Sequence, residues 1–313
     1  MANWTASSIP PQNGRSAVVT GTGGLGFEVA LALARAGGDV IIAGRGPSKG
    51  AEAVARIRAA VPSARARFEP LDLANLKSVS DFSARLRSQR DSLDLLINNA
   101  GVMTPPERRE TSDGFELQLG TNHLGHFALT AGLRPLLRNG NAPRVVSLSS
   151  IAARNARIDF DDLNAERRYS PFPVYGQSKL ACLMFAFELQ RRSAAGGWGI
   201  TSLAAHPGIT RTDLLVNGAG HNSGAGRIRR FLPFLFQPAW QGALPTLFAA
   251  TSVDAKPGAY YGPDQMGETR GFPALSSVPP QAADASVAER LWHLSEQFTG
   301  VTFPGARSHG HAG

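Results

Sequence analysis

The chain has 313 residues, 42% of them hydrophobic and 18% charged, which is enough apolar material for a large core and excludes a disordered composition. Its formal net charge is +8, yet the 32 Lys and Arg are scattered rather than gathered into a block. That pattern argues against nucleic acid as a partner and suits a surface that attracts a phosphorylated ligand. A single cysteine, Cys182, excludes an internal disulfide and fits a reducing compartment.

The opening stretch MANWTASSIPPQNGR lacks the basic start and apolar run of a secretory signal. No apolar segment reaches the roughly 18 residues of a membrane span, so a cytoplasmic protein without a transmembrane segment is expected. Short β-rich runs then alternate with helical patterns. AVVT, DVIIAG, RARFEPLDL, DLLINNA, RVVSLSS and ITSLAAHPG read as strands; FEVALALARAG, KGAEAVARIRAAV, LKSVSDFSARLRSQ, GFELQLGTNHLGHFALTAGLRPLL and the stretch from Tyr175 to Arg192 read as helices. The alternation predicts an α/β fold of Rossmann type, a doubly wound parallel sheet with helices on both faces, formed by one domain over residues 1–313. Its core spans about residues 14–260, with a substrate lid over about 213–240 and a C-terminal extension over 261–313.

Along the chain, polar or small residues mark the strand ends, where ligands bind in such a sheet. After the first strand, Gly21, Gly23, Gly24, Leu25 and Gly26 form the loop TGTGGLG that opens a helix. Its backbone N–H groups can face a pyrophosphate at the positive end of the helix dipole. After the second strand, Arg45 stands where an NAD site carries an acid, and Lys49 follows one helical turn later, favouring the 2′-phosphate of NADP(H). The third strand ends in PLDL, with Asp72 a candidate acceptor for the adenine amino group and Leu73 beside it. The fourth ends in NNAG, where Asn99, Ala100 and Gly101 allow close backbone approach. Both segments are alternatively strand-end punctuation.

The fifth strand ends at Ser149 and Ser150, and a polar insertion over 152–174 follows. Tyr175 and Lys179 stand four apart and share a helical face. A tyrosine hydroxyl is a poor acid–base group at neutral pH unless a cation supports its phenolate, and Lys179 supplies one. The sixth strand runs into HPGITRT, with Pro207, Gly208, Ile209 and Thr212. His123, His126, His206 and His221 lack a converging ligand set, so no metal site is expected. The strip FLPFLFQPAW, preceded by RIRR, is a helix on the core, an apolar lid or a membrane-surface contact; its two prolines and glycine-rich lead-in favour the lid.

Taken in order, TGTGGLG, NNAG, TNHLGHF, VVSLSS, YGQSK and HPGITRT resemble the short-chain dehydrogenase/reductase family, and within it the retinol dehydrogenase-like branch. The resemblance implies an NADP(H)-dependent enzyme that interconverts a carbonyl and an alcohol on a lipophilic small molecule. Tyr175 would be the general acid or base and also contact the cofactor, Lys179 would support its phenolate and hold the nicotinamide ribose, and Ser150 would bind the substrate oxygen. Asn122 would anchor a water relay to Lys179, while Ile209 and Thr212 would meet the nicotinamide carboxamide. Relatives also imply a homodimer or homotetramer. One departure stands out: the loop is one residue shorter between Gly21 and Gly24 than the family's usual TGxxxGxG. It leaves open a non-catalytic nucleotide-binding or sensor protein on the same fold.

Overall fold

In the computed structural model, which describes residues 3–210 and 237–303, strands and helices alternate as the sequence predicts. The order is β1 (Ser16–Thr20), α1 (Gly24–Arg35), β2 (Asp39–Gly44), α2 (Pro47–Ala60), β3 (Arg65–Pro70), α3 (Leu76–Gln89), β4 (Leu95–Asn98) and α4 (Gly125–Arg138). There follow β5 (Arg144–Leu148), α5 (Pro171–Ala195), β6 (Thr201–Ala205), α6 (Ala239–Gly242), α7 (Leu244–Thr251), β7 (Tyr260–Gln265), β8 (Arg270–Leu275) and α8 (Ala285–Thr299). The strands form one sheet in the order β3-β2-β1-β4-β5-β6-β7-β8. Every neighbouring pair up to β7 is parallel, and β8 joins antiparallel. Between β1 and β4 the order reverses, which opens a crevice at the carboxyl ends of those strands.

Successive residues of the inner strands feed opposite cores, because side chains alternate across a sheet. Ala17, Val19, Val40, Ile42, Leu95 and Ile97 pack on one face with α1, α2 and α7. Val18, Ile41, Leu96 and Val145 pack on the other with α3, α4 and α5. Burial on both faces explains why these strands read as continuous Val, Ile and Leu.

Three features differ from the sequence reading. The segment read as an extension supplies β7 and β8, whose sequences YYGPDQ and RGFPAL carry glycine and proline in place of an apolar run. They pair across a turn in which Met266, Gly267 and Glu268 all have positive φ. The helix expected from Phe115 begins instead as a π-helical turn, Leu119–Leu124, that passes into α4 at Gly125. Helix α5 starts inside the presumed insertion, at Pro171, where a proline fits the first helical turn because its missing N–H has no intrahelical partner there. Of the lid expected over 213–240, residues 213–236 lie outside those described, as does Thr212. Among the described residues no helix is long and apolar enough to cross a membrane.

The C-terminal helix is locked onto the main body by aromatic packing. Fully buried Phe127 of α4 has its ring centroid 5.0 Å from Trp292, 5.2 Å from Phe303 and 5.6 Å from Phe185. Phe127→Ala is expected to lower the unfolding free energy by about 3–5 kcal/mol, measured by urea denaturation.

Candidate active site

The shortened glycine loop closes by placing two glycines at positive φ, Gly21 at +100° and Gly24 at +51°. The amide of Gly21 donates to Ala43 O at 2.7 Å, and α1 starts directly at Gly24. Gly26 lies beneath the turn: a Cβ there would strike the Gly21 carbonyl and approach Asn99 Nδ2 to 2.6 Å. Asn99 Nδ2 donates to Thr20 O at 2.7 Å, so the NNAG segment clamps the end of β1.

Above this turn lies a cavity of about 700 Å³. Of the expected nucleotide-binding residues, Gly21, Gly23, Gly24, Leu25, Arg45, Asp72, Leu73, Asn99, Ala100 and Gly101 line it, together with Lys49. Asp72 also accepts from the Ala74 amide through Oδ1 at 3.0 Å. Glu52 and Arg56 line the same wall and were missed in the sequence. Their spacing from Lys49 along α2 could have found them, since residues three, four and seven apart share a helical face. The Arg56 guanidinium stacks over the Phe27 ring, 4.0 Å from its centroid.

A buried hydrogen-bonded chain connects this wall to Asn122. Thr20 Oγ1 accepts from the amides of Asn99 and Ala100, both at 2.9 Å. His126 Nδ1 lies 2.9 Å from Asn122 O, so that nitrogen must carry the proton, which leaves Nε2 to accept from Thr20 Oγ1 at 2.9 Å. The ring is therefore neutral, and its pKa is pushed down to about 4, chiefly by burial, with the Lys179 charge adding to the effect against the Asn122 hydrogen bond. His123 is also driven down, to about 3, by burial and by His126; its Nε2 pairs with Ser295 Oγ at 2.8 Å. The Asn122 side chain spans both sides of Val102, accepting from its amide at 2.8 Å and donating to its carbonyl at 3.0 Å. It also donates to Ser178 Oγ at 2.9 Å.

Tyr175 and Lys179 lie on the inward side of α5, 5% and 4% exposed. Lys179 Nζ donates to Leu148 O at 3.1 Å and lies 5.9 Å from the Tyr175 ring centroid. Gly101 is where the two halves of the site meet: a Cβ there would come within 2.9 Å of Asn122 Oδ1 and 3.5 Å of Lys179 Nζ. Ser150 caps the short 3-10 turn Ile151–Asn155, its hydroxyl accepting from the Ala152 amide at 3.2 Å. Its neighbour Ser149 bonds to Lys179 O at 2.8 Å.

Pro207, Gly208 and Ile209 stand apart from the cavity wall. Gly208 has φ +65°, and the Ile209 amide donates to Thr269 O at 2.8 Å. Gln237 holds the turn from the other side, donating to Pro207 O through Nε2 at 2.5 Å and to Ile209 O through its amide at 3.0 Å.

The sequence model of the short chain dehydrogenase family matches residues 15–223. Polyprenol dehydrogenase of Mus musculus is 40% identical over 301 residues, spanning 94% of this chain and 86% of that protein. Retinol dehydrogenase 13 of Homo sapiens is 38% identical over 302 residues, spanning 94% and 87%. A crystal structure of a protein from Mycobacterium paratuberculosis superposes with a TM-score of 0.80 at 40% identity, covering 97% of this chain and all of that one.

The two buried histidines set a pH dependence. Folded, each stays unprotonated down to about pH 3 or 4, whereas in the unfolded chain each binds a proton below about pH 6.5. The unfolded state holds more protons across that window, so stability falls as pH falls through it. Between pH 7 and pH 5 each ring is expected to cost about 2 kcal/mol, measured by urea unfolding at each pH. Histidine ring NMR at pH 5 should show His126 neutral with its proton on Nδ1.

Proposed function

The chain belongs to the short-chain dehydrogenase family of oxidoreductases, and from that premise we propose that it interconverts a carbonyl and an alcohol on a lipophilic small molecule with NADP(H). One observation carries this reading: Asn122, Lys179 and the glycine cradle of the dinucleotide cavity converge at Gly101, with Tyr175 one turn before Lys179 on the same buried face. The residues present suit a dinucleotide. Glycines stand at positions 21 and 26, where a Cβ would meet Asn99 or the Gly21 carbonyl, and the cavity has room for a nucleotide. Arg45 and Lys49 follow β2 with no acid between them, which favours a 2′-phosphate over a free ribose hydroxyl. Gly26 would serve helix-to-strand packing beneath the pyrophosphate.

When bound, the nicotinamide supplies or accepts the hydride. The chain's own side chains do the rest. Tyr175 Oη gives a proton to the carbonyl oxygen in reduction or takes one from the alcohol in oxidation, while Lys179 stabilises the charge that then develops on the phenol. Ser150 holds the substrate oxygen, Asn122 anchors the relay toward Lys179, and the turn at Pro207, Gly208 and Ile209 orients the nicotinamide. Relatives named for polyprenol and retinol support an apolar alcohol or its carbonyl as substrate. So does Phe172, whose ring is 59% exposed and lies 6.5 Å from that of Tyr175. The short loop alone favoured a non-catalytic binder; the buried Tyr175–Lys179 pair with Asn122 beside the cavity supports the enzyme.

In a paired fluorescence titration NADPH is expected to bind at least about tenfold more tightly than NADH, and Arg45→Ala to remove most of that preference. Tighter binding of NADH would overturn the cofactor assignment. With all-trans-retinal as the probe substrate, Tyr175→Phe should cut turnover at least about 100-fold while changing NADPH affinity far less. Retained turnover would exclude Tyr175 as the acid.

A further inference from the structure

The β7–β8 turn carries a carboxylate that the reaction as described does not use. Glu268 has φ +67°, a conformation disfavoured for every residue with a Cβ and natural for glycine. The position holds an acid all the same, and one oxygen of that acid faces the site while the other is held within the hairpin. Its Oε2 meets Arg154 Nη2 at 2.7 Å and His206 Nε2 at 3.0 Å, and its Oε1 accepts from the Ser277 amide at 2.9 Å. Burial works against the charge, but the bonds from His206, Ser277, Arg154 and Ser276 outweigh it and hold the carboxyl well below the usual carboxylate range.

Two of these partners, Arg154 and His206, lead to different parts of the candidate site. Arg154 belongs to the 3-10 turn that Ser150 caps, and its other guanidinium nitrogen donates to Gly267 O at 3.0 Å. His206 immediately precedes the Pro207–Gly208 turn; its Nδ1 accepts from the Gly208 amide at 3.2 Å, so its proton lies on Nε2, which faces Glu268 Oε2 at 3.0 Å and Ser276 Oγ at 2.9 Å. Thr269, next along the hairpin, accepts from the Ile209 amide at 2.8 Å. One carboxylate thus bridges the serine turn and the nicotinamide turn.

We propose that Glu268 is a positioning residue that fixes the Ser150 turn relative to the Pro207–Gly208 turn, and so sets the substrate oxygen against the nicotinamide. The inference rests on the functional roles proposed for Ser150 and the Pro207–Gly208 turn. Small displacements between reacting groups carry large rate penalties, which gives a carboxylate at the junction its leverage. It also accounts for an acid at a left-handed position where glycine would fold more readily.

The test uses the full-length protein with Glu268→Gln, which removes the charge, and Glu268→Gly, which removes the bridge but relaxes the backbone. Hydrogen exchange without ligand should quicken about tenfold in both the 151–155 and 206–210 segments while β1 and α4 are unchanged. Turnover of all-trans-retinal should fall about tenfold or more in kcat, with its KM and NADPH affinity nearly constant and with the thermal midpoint of Glu268→Gly unchanged or raised. Exchange confined to the hairpin, or kcat falling only in step with the thermal midpoint, would overturn the proposal. A wild type that neither binds NADPH nor turns over retinal would count against the functional reading, and the exchange result would then decide the bridge by itself. Wild-type turnover left intact by Glu268→Gln would count against Glu268 alone.

Discussion

A single buried hydroxyl holds the reversal point of the sheet together. Thr20 Oγ1 uses both lone pairs on the amides that follow β4 and gives its proton to His126. Where strand order reverses, adjacent loops leave in opposite directions, and their first amides have no ladder partner. A hydroxyl at the end of β1 meets that need without a bulky side chain. Because His126 carries the bond on to Asn122 O, the wall of the glycine-loop cavity and the π-helical turn bearing Asn122 are joined by one buried hydrogen-bonded chain. The neutral histidine suits this arrangement, since burial disfavours its charge and Nε2 is the nearer of two acceptors for the Thr20 proton, Ile97 O being the other.

Close backbone approach is the second constraint. Gly26 under the loop and Gly101 between Asn122 and Lys179 are points where any Cβ would collide with a polar atom. The first lets helix α1 start directly against the strand end, so a loop one residue short still lines the cavity. The second lets the cavity wall and the α5 side chain Lys179 share a boundary one residue thick. Large functional groups reach each other here because the residues between them are small.

The third layer comes from the C-terminal hairpin. Strands β7 and β8 extend the sheet beyond the Rossmann core, and their turn is docked by Ile209, His206 and Arg154. Helix α8 covers the opposite side through Trp292 and the Phe127 cluster. Both cores and both sides of the active site therefore depend on chain that follows the six-stranded unit.

The sequence by itself determined the doubly wound sheet, because strands buried on both faces must be continuous in Val, Ile and Leu and helices must repeat an apolar stripe. It also placed the glycine loop, Arg45, NNAG and the Tyr175–Lys179 pair, since each lies at a strand end or on one helical face, where local periodicity is enough to position it. Only the tertiary structure decided which of those residues share a wall. Arg56, Thr20, His126 and Glu268 each gain their roles from at least one partner on another element more than twenty residues away: Phe27, Asn99, Thr20 and Arg154 respectively. The hairpin was hidden for a related reason: its strands depend on pairing with β6 and with each other, and short segments rich in glycine and proline carry no periodic signal until a neighbouring strand supplies their hydrogen bonds.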